Sequence, residues 1–350
     1  MAGRLTNTVR GEQQESLAYQ GQLERREQQE QSASLGYIYR LVCSDQERSL
    51  CSMEMRQLLG IDPSWHESSA VVESELELSP QRSPYMKYRL QIWLKANDYA
   101  DLLQQAAALE LSETYKLIAI ESVVNGEPRK LEYNKRRAME RELGMHIGGQ
   151  VDLHHPQLQL GIIEWNEGWL LGSYEVHEAL WQQHDRKPRH YSTALGTRVA
   201  RAIVNIAVPH LGAGISLIDP CCGIGTVLLE AASQGIYAKG YDLNPLAVVG
   251  ARENMQAFHY QCDIAIADMR GLTGDYDVAV LDLPYNHCSV LPAEERQQML
   301  ASLKQLCKRA VIVSVEPIKE ELLQLGATIV DSGIVAKTHF KRDIWLVSFT

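Results

Sequence analysis

Several things are scarce or missing in this chain of 350 residues. No apolar run reaches membrane-spanning length, so no bilayer-crossing helix is expected. No apolar core follows a basic start at the N-terminus, so no secretory leader is expected either. The 7 cysteines contain no CxxC and follow no regular framework. An odd, scattered set of this kind suggests reduced thiols in a cytoplasm, and zinc-ligand spacing is also lacking. Excess positive charge is missing too: 34 Lys and Arg stand against 44 Asp and Glu, a net charge of -10. That balance weighs against a polyanion as partner.

What is present qualifies the last exclusion. Basic residues cluster locally: Arg186, Lys187, Arg189, Arg198 and Arg201; Lys135, Arg136, Arg137 and Arg141; and Lys337, His339, Lys341 and Arg342. An acidic protein with basic faces can still hold RNA, although a solvated surface is the plainer reading of any one cluster. The length suits two domains, and 45% hydrophobic residues suit a sizeable core. There is no internal repeat.

Four segments follow in order. Residues 1–34 are rich in Gln, Glu, Arg and Ser and read as a disordered tail. Residues 35–183 mix strands and helices without a regular βα repeat, as a small α+β module does. There Tyr37–Val42 and Tyr85–Ala96 read as strands, and Ser44 with Glu47 as a capping box opening a helix that Gly60 stops. Asp98–Leu111 reads as helix, Tyr115–Ser122 as strand, Asn134–Gly144 as a basic helix, and Leu158–Val176 as a hairpin turning at Asn166-Glu167-Gly168. Residues 184–194 form a polar, basic connector. From 195 to 350 the pattern is βαβ, which predicts a doubly wound α/β sheet.

Four strands of that last segment lead into aspartates: Asp219, Asp242, Asp268 and Asp282. The turn Asp219-Pro220-Cys221-Cys222-Gly223-Ile224-Gly225-Thr226 feeds a helix N-terminus, whose free N–H groups suit a carboxylate. Its spacing is not GxGxxG, which favours a smaller amino-acid-bearing ligand such as S-adenosylmethionine over a nicotinamide dinucleotide. Asp242 is placed to hold ribose hydroxyls, and Asp268 to accept an adenine amine. Asp282-Leu283-Pro284-Tyr285 ends the apolar strand 278–281. The Asp282 carboxylate and the Leu283 carbonyl can orient an exocyclic amine, and Tyr285 can stack on its base. Such an amine is a poor nucleophile, so positioning is most of the catalysis. No general base is evident, and Asp282 is a late proton acceptor. Cys221, Cys222 and Cys288 read as small packing residues rather than nucleophiles.

In this order the motifs resemble the class I S-adenosylmethionine-dependent methyltransferases of the amino-methylating branch. More closely, the chain from about Tyr37 onward resembles the THUMP-containing RNA methyltransferases, in particular the tRNA guanine-N2 family. Asp219 to Thr226, Glu230-Ala231, Asp242-Leu243-Asn244-Pro245 and Ala251-Arg252-Glu253-Asn254 carry the likeness, with Lys187-Pro188 and Tyr191-Ser192 upstream. The resemblance implies a Rossmann-like domain over 195–350 behind a THUMP-like RNA-binding region over 35–183. It implies S-adenosylmethionine held around Asp219, Cys221, Gly223, Gly225, Thr226, Asp242, Leu243, Asp268 and Met269. It implies catalysis at Asp282, Leu283, Pro284 and Tyr285, and RNA held by Arg136, Arg137, Lys187, Arg189, Tyr191, Arg198, Lys341 and Arg342. The expected partner is RNA, foremost tRNA, with no membrane and no obligate protein partner. Leu283 stands where the family has proline. That leucine and the net acidity keep open an RNA-binding protein with a degenerate domain; a DNA amino-methyltransferase is the other alternative.

Overall fold

The computed structural model describes residues 35–191, 194–284, 291–337 and 340–349. The tail expected over 1–34 lies outside them. In chain order the elements are β1 (Tyr37–Val42), α1 (Arg48–Leu59), β2 (Ser69–Ser74), β3 (Met86–Ala96), α2 (Tyr99–Ala106), β4 (Tyr115–Val124), β5 (Glu127–Arg129) and α3 (Tyr133–Gly144). Then come β6 (Leu158–Trp165), β7 (Gly168–Val176), a 3-10 turn at Leu180–Arg186, α4 (Thr197–Ala207), β8 (Ser216–Asp219), α5 (Thr226–Ser233), β9 (Tyr237–Asp242) and α6 (Pro245–Ala257). The chain ends with β10 (Asp263–Ile266), a 3-10 turn at Met269–Gly271, β11 (Val278–Asp282), α7 (Ala293–Leu306), β12 (Arg309–Ser314), α8 (Lys319–Gln324), β13 (Thr328–Lys337) and β14 (Phe340–Ser348).

Packing divides these elements into two units. The first takes in 90–125 and 129–174; the second takes in 39–89, 126–128 and everything from 175. In the first unit β4 and β6 pair in parallel, and β6 and β7 form the expected antiparallel hairpin. Leu102, Ala106, Met139 and Leu143 from α2 and α3 cover Tyr115, Leu117, Leu160 and Ile162 of that sheet. Asp98 caps α2 by accepting the Asp101 N–H at 2.8 Å. The helix stops at Ala106, short of the expected Leu111, because Ala108 and Leu109 donate to the carbonyls three residues back and tighten the chain out of the α register.

The second unit carries the sheet that positions the site. Its order is β10-β9-β8-β11-β12-β14-β13. The pairs from β10 through β12 are parallel, and the last two are antiparallel. β8 lies between β9 and β11, so the winding reverses there and a crevice opens at the carboxyl ends of the strands. Leu281, Leu283, Leu300, Leu303 and Ile312 form the core behind that crevice. α7 ends at Leu306, because Cys307 is already extended and leads into β12.

The expected capping box at Ser44 does not form. Glu47 is the N-cap of α1 and makes no side-chain cap bond, while its N–H donates to the Ser44 carbonyl at 3.0 Å, an extra turn upstream. Gly60 does stop the helix, in the left-handed conformation. α1 packs against α4, and a chain of buried polar groups runs between them. Glu54 accepts from Asn205 at 2.6 Å and from Ser83 at 2.7 Å. Arg201 donates to the Arg82 carbonyl at 3.1 Å and to Glu230 at 3.0 Å, and Glu230 meets His184 at 2.6 Å. Burial pushes the Glu54 carboxyl up to about 7 despite these donors.

Candidate active site

A cavity of about 520 Å³ opens at the switch point, within the usual size of a small-molecule site. Its floor is the turn after β8. The Cys222 N–H donates to the Tyr241 carbonyl at 2.8 Å, and the Gly225 N–H to the Cys222 carbonyl at 2.8 Å. These bonds fold the turn back against β9. Gly223 has φ +54, and a Cβ there would meet nothing within 4 Å, so its backbone faces open space in the cavity wall. Gly225 has φ +77, and a Cβ there would come 3.1 Å from the Ala251 Cβ. Gly225 does not line the cavity; it lets α6 close on the turn, which corrects its expected place among the cofactor contacts.

Asp219, Cys221, Gly223, Thr226, Asp242, Leu243, Asp268 and Met269 all line the cavity, as do Asp282, Leu283 and Pro284. Asp242 is fixed from both sides: Oδ2 accepts the Gly223 N–H at 2.8 Å and Oδ1 the Asn244 N–H at 2.8 Å. Two backbone donors leave this carboxylate with remaining lone pairs in a set orientation. Asp219 is buried, accepts the Cys221 N–H at 3.3 Å, and is pushed well up by burial and by Asp282 and Asp242. Cys221 is also pushed well up, first by burial and then by Asp219, Asp242, Asp282 and Asp268. All four aspartates therefore act on one spot. Thr226 is buried and its Oγ1 finds no partner among the described residues.

Asp268 departs from expectation. It caps the 3-10 turn by accepting the Arg270 N–H at 2.9 Å, and its two oxygens take the Arg270 guanidinium at 3.0 Å and 2.5 Å. Its lone pairs are largely spent on Arg270, which leaves the adenine-amine role expected for it without a free acceptor geometry. Arg270 also reaches Glu295 at 3.7 Å and Gln298 at 3.4 Å on α7.

At the other end, Asp282 is the last residue of β11, in register with Val313. Burial pushes its carboxyl from 3.8 up to about 7, against the pull of Arg342. Such a group is half ionised near neutrality, where a proton acceptor works best. Leu283 has a physical role of its own. Its N–H donates to the Val313 carbonyl at 3.0 Å and its side chain is buried beside Met299 and Leu300. A proline could not make that ladder bond. Main-chain pairing and side-chain packing thus fix the backbone that ring closure would otherwise fix. Tyr285 lies outside the described residues.

The residues expected to hold RNA are placed unevenly. Tyr191 is exposed and lines the cavity. Lys187 is buried, with Nζ 3.5 Å from Thr197 Oγ1, so it is not a surface contact for phosphate. Arg189 is tied to Glu253 at 3.2 Å, Lys341 to Asp343 at 3.2 Å, Arg198 to Glu47 at 3.4 Å and Arg137 to Glu140 at 2.8 Å. Arg136 and Arg137 belong to the first unit and the others to the second. One positioning residue had no role assigned from the sequence, although it lies in the segment that carries the resemblance. Buried Asn254 accepts the Arg189 N–H at 2.8 Å and donates to the carbonyls of Ile224 at 2.9 Å and Arg189 at 3.1 Å. It straps the cavity turn to the connector.

Residues 184–325 match the family described as UPF0020, RMKL-like, methyltransferase domain. The match spans 142 of the 350 residues. The matched segment contains every cavity-lining residue named above. Among curated proteins, the chain is 28% identical over 284 residues to the tRNA (guanine(10)-N2)-dimethyltransferase of Methanothermobacter thermautotrophicus, covering 74% of this chain and 81% of that one. It is 26% identical over 202 residues to the U6 snRNA (guanine-N(2))-methyltransferase THUMPD2 of Homo sapiens, covering 56% of this chain and 36% of that one. Among solved structures, TrmN from Thermus thermophilus aligns with a TM-score of 0.46 at 16% identity, over 89% of this chain and 99% of that one. The resemblance read from the motifs holds for the methyltransferase domain and for relatives named as guanine-N2 enzymes. S-adenosylmethionine is the cofactor of such a domain. The residues present suit it: a hydroxyl without a partner at Thr226, an open wall at Gly223, an oriented carboxylate at Asp242, and a field of aspartates favouring a cation.

Proposed function

We propose that this protein transfers a methyl group from S-adenosylmethionine to the exocyclic N2 amine of a guanine in RNA, with tRNA as its substrate. The observation that carries this reading is the convergence of four strand-end aspartates on one cavity, with Asp282 held near neutrality at its edge. The Methanothermobacter relative, named for tRNA guanine, aligns over 74% of this chain and supports the choice of substrate. Asp242 holds ribose hydroxyls, and Thr226 and the Gly223 backbone take polar groups of the same ligand.

S-adenosylmethionine supplies an electrophilic methyl group when bound. The remaining work falls to this chain. Ionised Asp282 and the Leu283 carbonyl accept hydrogen bonds from the guanine amine. These bonds turn its lone pair out of conjugation with the ring and hold it in place. As the new C–N bond forms, the amine becomes acidic and Asp282 takes the proton. Tyr285 stacks on the target base. Residues 35–183 serve as a THUMP-like RNA-binding region, with Arg136 and Arg137 on its basic helix. Tyr191, Arg198 and Arg342 serve beside the cavity. A tRNA substrate places the proposed reaction in the cytoplasm. The test is methyl transfer from labelled S-adenosylmethionine to undermodified tRNA, read as N2-methylguanosine by nucleoside mass spectrometry. Transfer is expected in wild type and lost in Asp282→Ala. Label in no RNA at all, or in RNA but only on other atoms, overturns the reading.

A further inference from the structure

A second cavity, of about 970 Å³, adjoins the first. Ala194 lines both. Arg342 lines the second, and its charge also acts on Asp282 in the first. The two cavities therefore share a wall at Ala194, and an arginine of the second is felt by the carboxylate proposed to receive the target amine. Cofactor groups Gly223, Asp242 and Asp268 take no part in its lining.

Its chemistry is that of a polar ligand with one anionic group. Three arginines line it: Arg186, Arg198 and Arg342. Arg186 is exposed and forms no ion pair among the described residues. Arg198 lies 5.6 Å over the Trp181 ring, which fixes its guanidinium at the wall. The first turn of α4 also lines the cavity, with Gly196 as an N-cap that offers no side chain and no acid in the turn. Its N–H groups add donors beside those arginines. Trp181 itself is buried and its Nε1–H finds no acceptor among the described residues. Against these stand the exposed carboxamides of Gln182 and Gln183 and the carboxylates of Glu178, Asp185 and Glu47. Glu47 meets Arg198 at 3.4 Å, which leaves Arg186, with no ion pair among the described residues, as the cation that carries the anion site. Carboxamides and carboxylates complement base edges and ribose hydroxyls, and arginines complement phosphate. A lipid or other apolar ligand would offer no partner to Arg186, to the exposed carboxamides or to the Trp181 Nε1–H.

The geometry points to a subsite for the nucleotide adjoining the methylated one: its phosphate lies on Arg186, Arg198 and Arg342, and its base faces Gln182 and Gln183. This rests on the RNA methyltransferase reading above. A guanine turned toward Asp282 brings its strand neighbours along, and this cavity is the space next to that carboxylate. The substrate class is thereby narrowed to RNA that is single-stranded on at least one side of the target, since a paired neighbour cannot turn its base edge into a wall.

The test uses the full chain and an RNA that wild type methylates. If wild type methylates none, the parent reading fails, and the subsite with it, before any variant is made. Given such an RNA, Arg186→Glu is expected to weaken RNA binding at least fivefold and to lower the slope of log K against log salt by about one. The affinity for S-adenosylmethionine, read by calorimetry, is expected to stay at the wild-type value. Arg186 is exposed, so folding is not at issue. In parallel, 4-thiouridine replaces the nucleotide next to the target. A photo-crosslink within residues 178–199 or 335–342 supports the subsite. Unchanged affinity and slope in Arg186→Glu, or a crosslink confined to other segments, overturns it.

Discussion

Replacing Asp282 with asparagine should make the protein more stable, and increasingly so as the pH rises. The carboxyl sits at about 7 in the fold against an ordinary 3.8, displaced by burial. A carboxyl raised in this way favours the folded state fully below the unfolded value. It loses that contribution as pH climbs through the folded value. The ionised form is thus disfavoured by up to about 4 kcal/mol once the pH is well above 7. Linkage gives a cost of roughly 1.5 kcal/mol at pH 5 and roughly 4 kcal/mol at pH 8. The advantage of Asp282→Asn over wild type should therefore grow by about 2.5 kcal/mol between those two pH values, an upper figure because the residue is partly exposed. Comparing mutant with wild type at each pH cancels the titration of Glu54, which is raised to about 7 in both. Urea unfolding at pH 5, 6, 7 and 8 measures the difference. The same substitution should abolish methyl transfer, so stability and activity move in opposite directions. An advantage that does not change with pH, or that shrinks as pH rises, refutes the assignment of a strained, proton-holding carboxyl at this position.

Further outcomes follow from the same structure. Asp242→Ala removes the carboxylate that two backbone amides orient, and should raise the dissociation constant for S-adenosylmethionine by about ten- to a hundredfold by calorimetry. Arg201→Met leaves Glu230 and His184 buried without their cation, and should cost about 3–5 kcal/mol in urea unfolding. Gly225→Ala meets both the left-handed backbone and the Ala251 contact at 3.1 Å; a loss of about 1–3 kcal/mol is expected, with a lowered thermal midpoint. Leu283→Pro restores the family's residue but deletes the bond to Val313, so it should lower stability by about 1 kcal/mol or more and give no gain in turnover.

Local signals carried much of this fold. Gly60 and Asp98 mark helix ends by backbone rules that act over a few residues, and both hold. The βα alternation after Ser216 is equally local, and the strands ending at Asp219, Asp242 and Asp282 stand where it puts them. What escaped was long-range or stereochemical. Nothing near Glu54 says that it will meet Asn205, 151 residues away. Lys187 reads as surface in a basic run, yet packing around Thr197 buries it. Asp268 reads as free until the 3-10 turn bends Arg270 back onto it. The exchange of proline for leucine at 283 looks like a loss until the partner strand supplies a carbonyl at 3.0 Å.

Cys221 gives the cavity a property of another kind. A methyl donor is an alkylating agent, and a thiolate is the most nucleophilic group a protein offers. This thiol lines the cavity proposed to hold the methyl donor, yet burial and four aspartates keep it protonated. The charge that welcomes a sulfonium thus also shields the enzyme from methylating itself. Iodoacetamide or peroxide should pass Cys221 by, and an inhibitor that relies on capturing this thiol would find no nucleophile waiting.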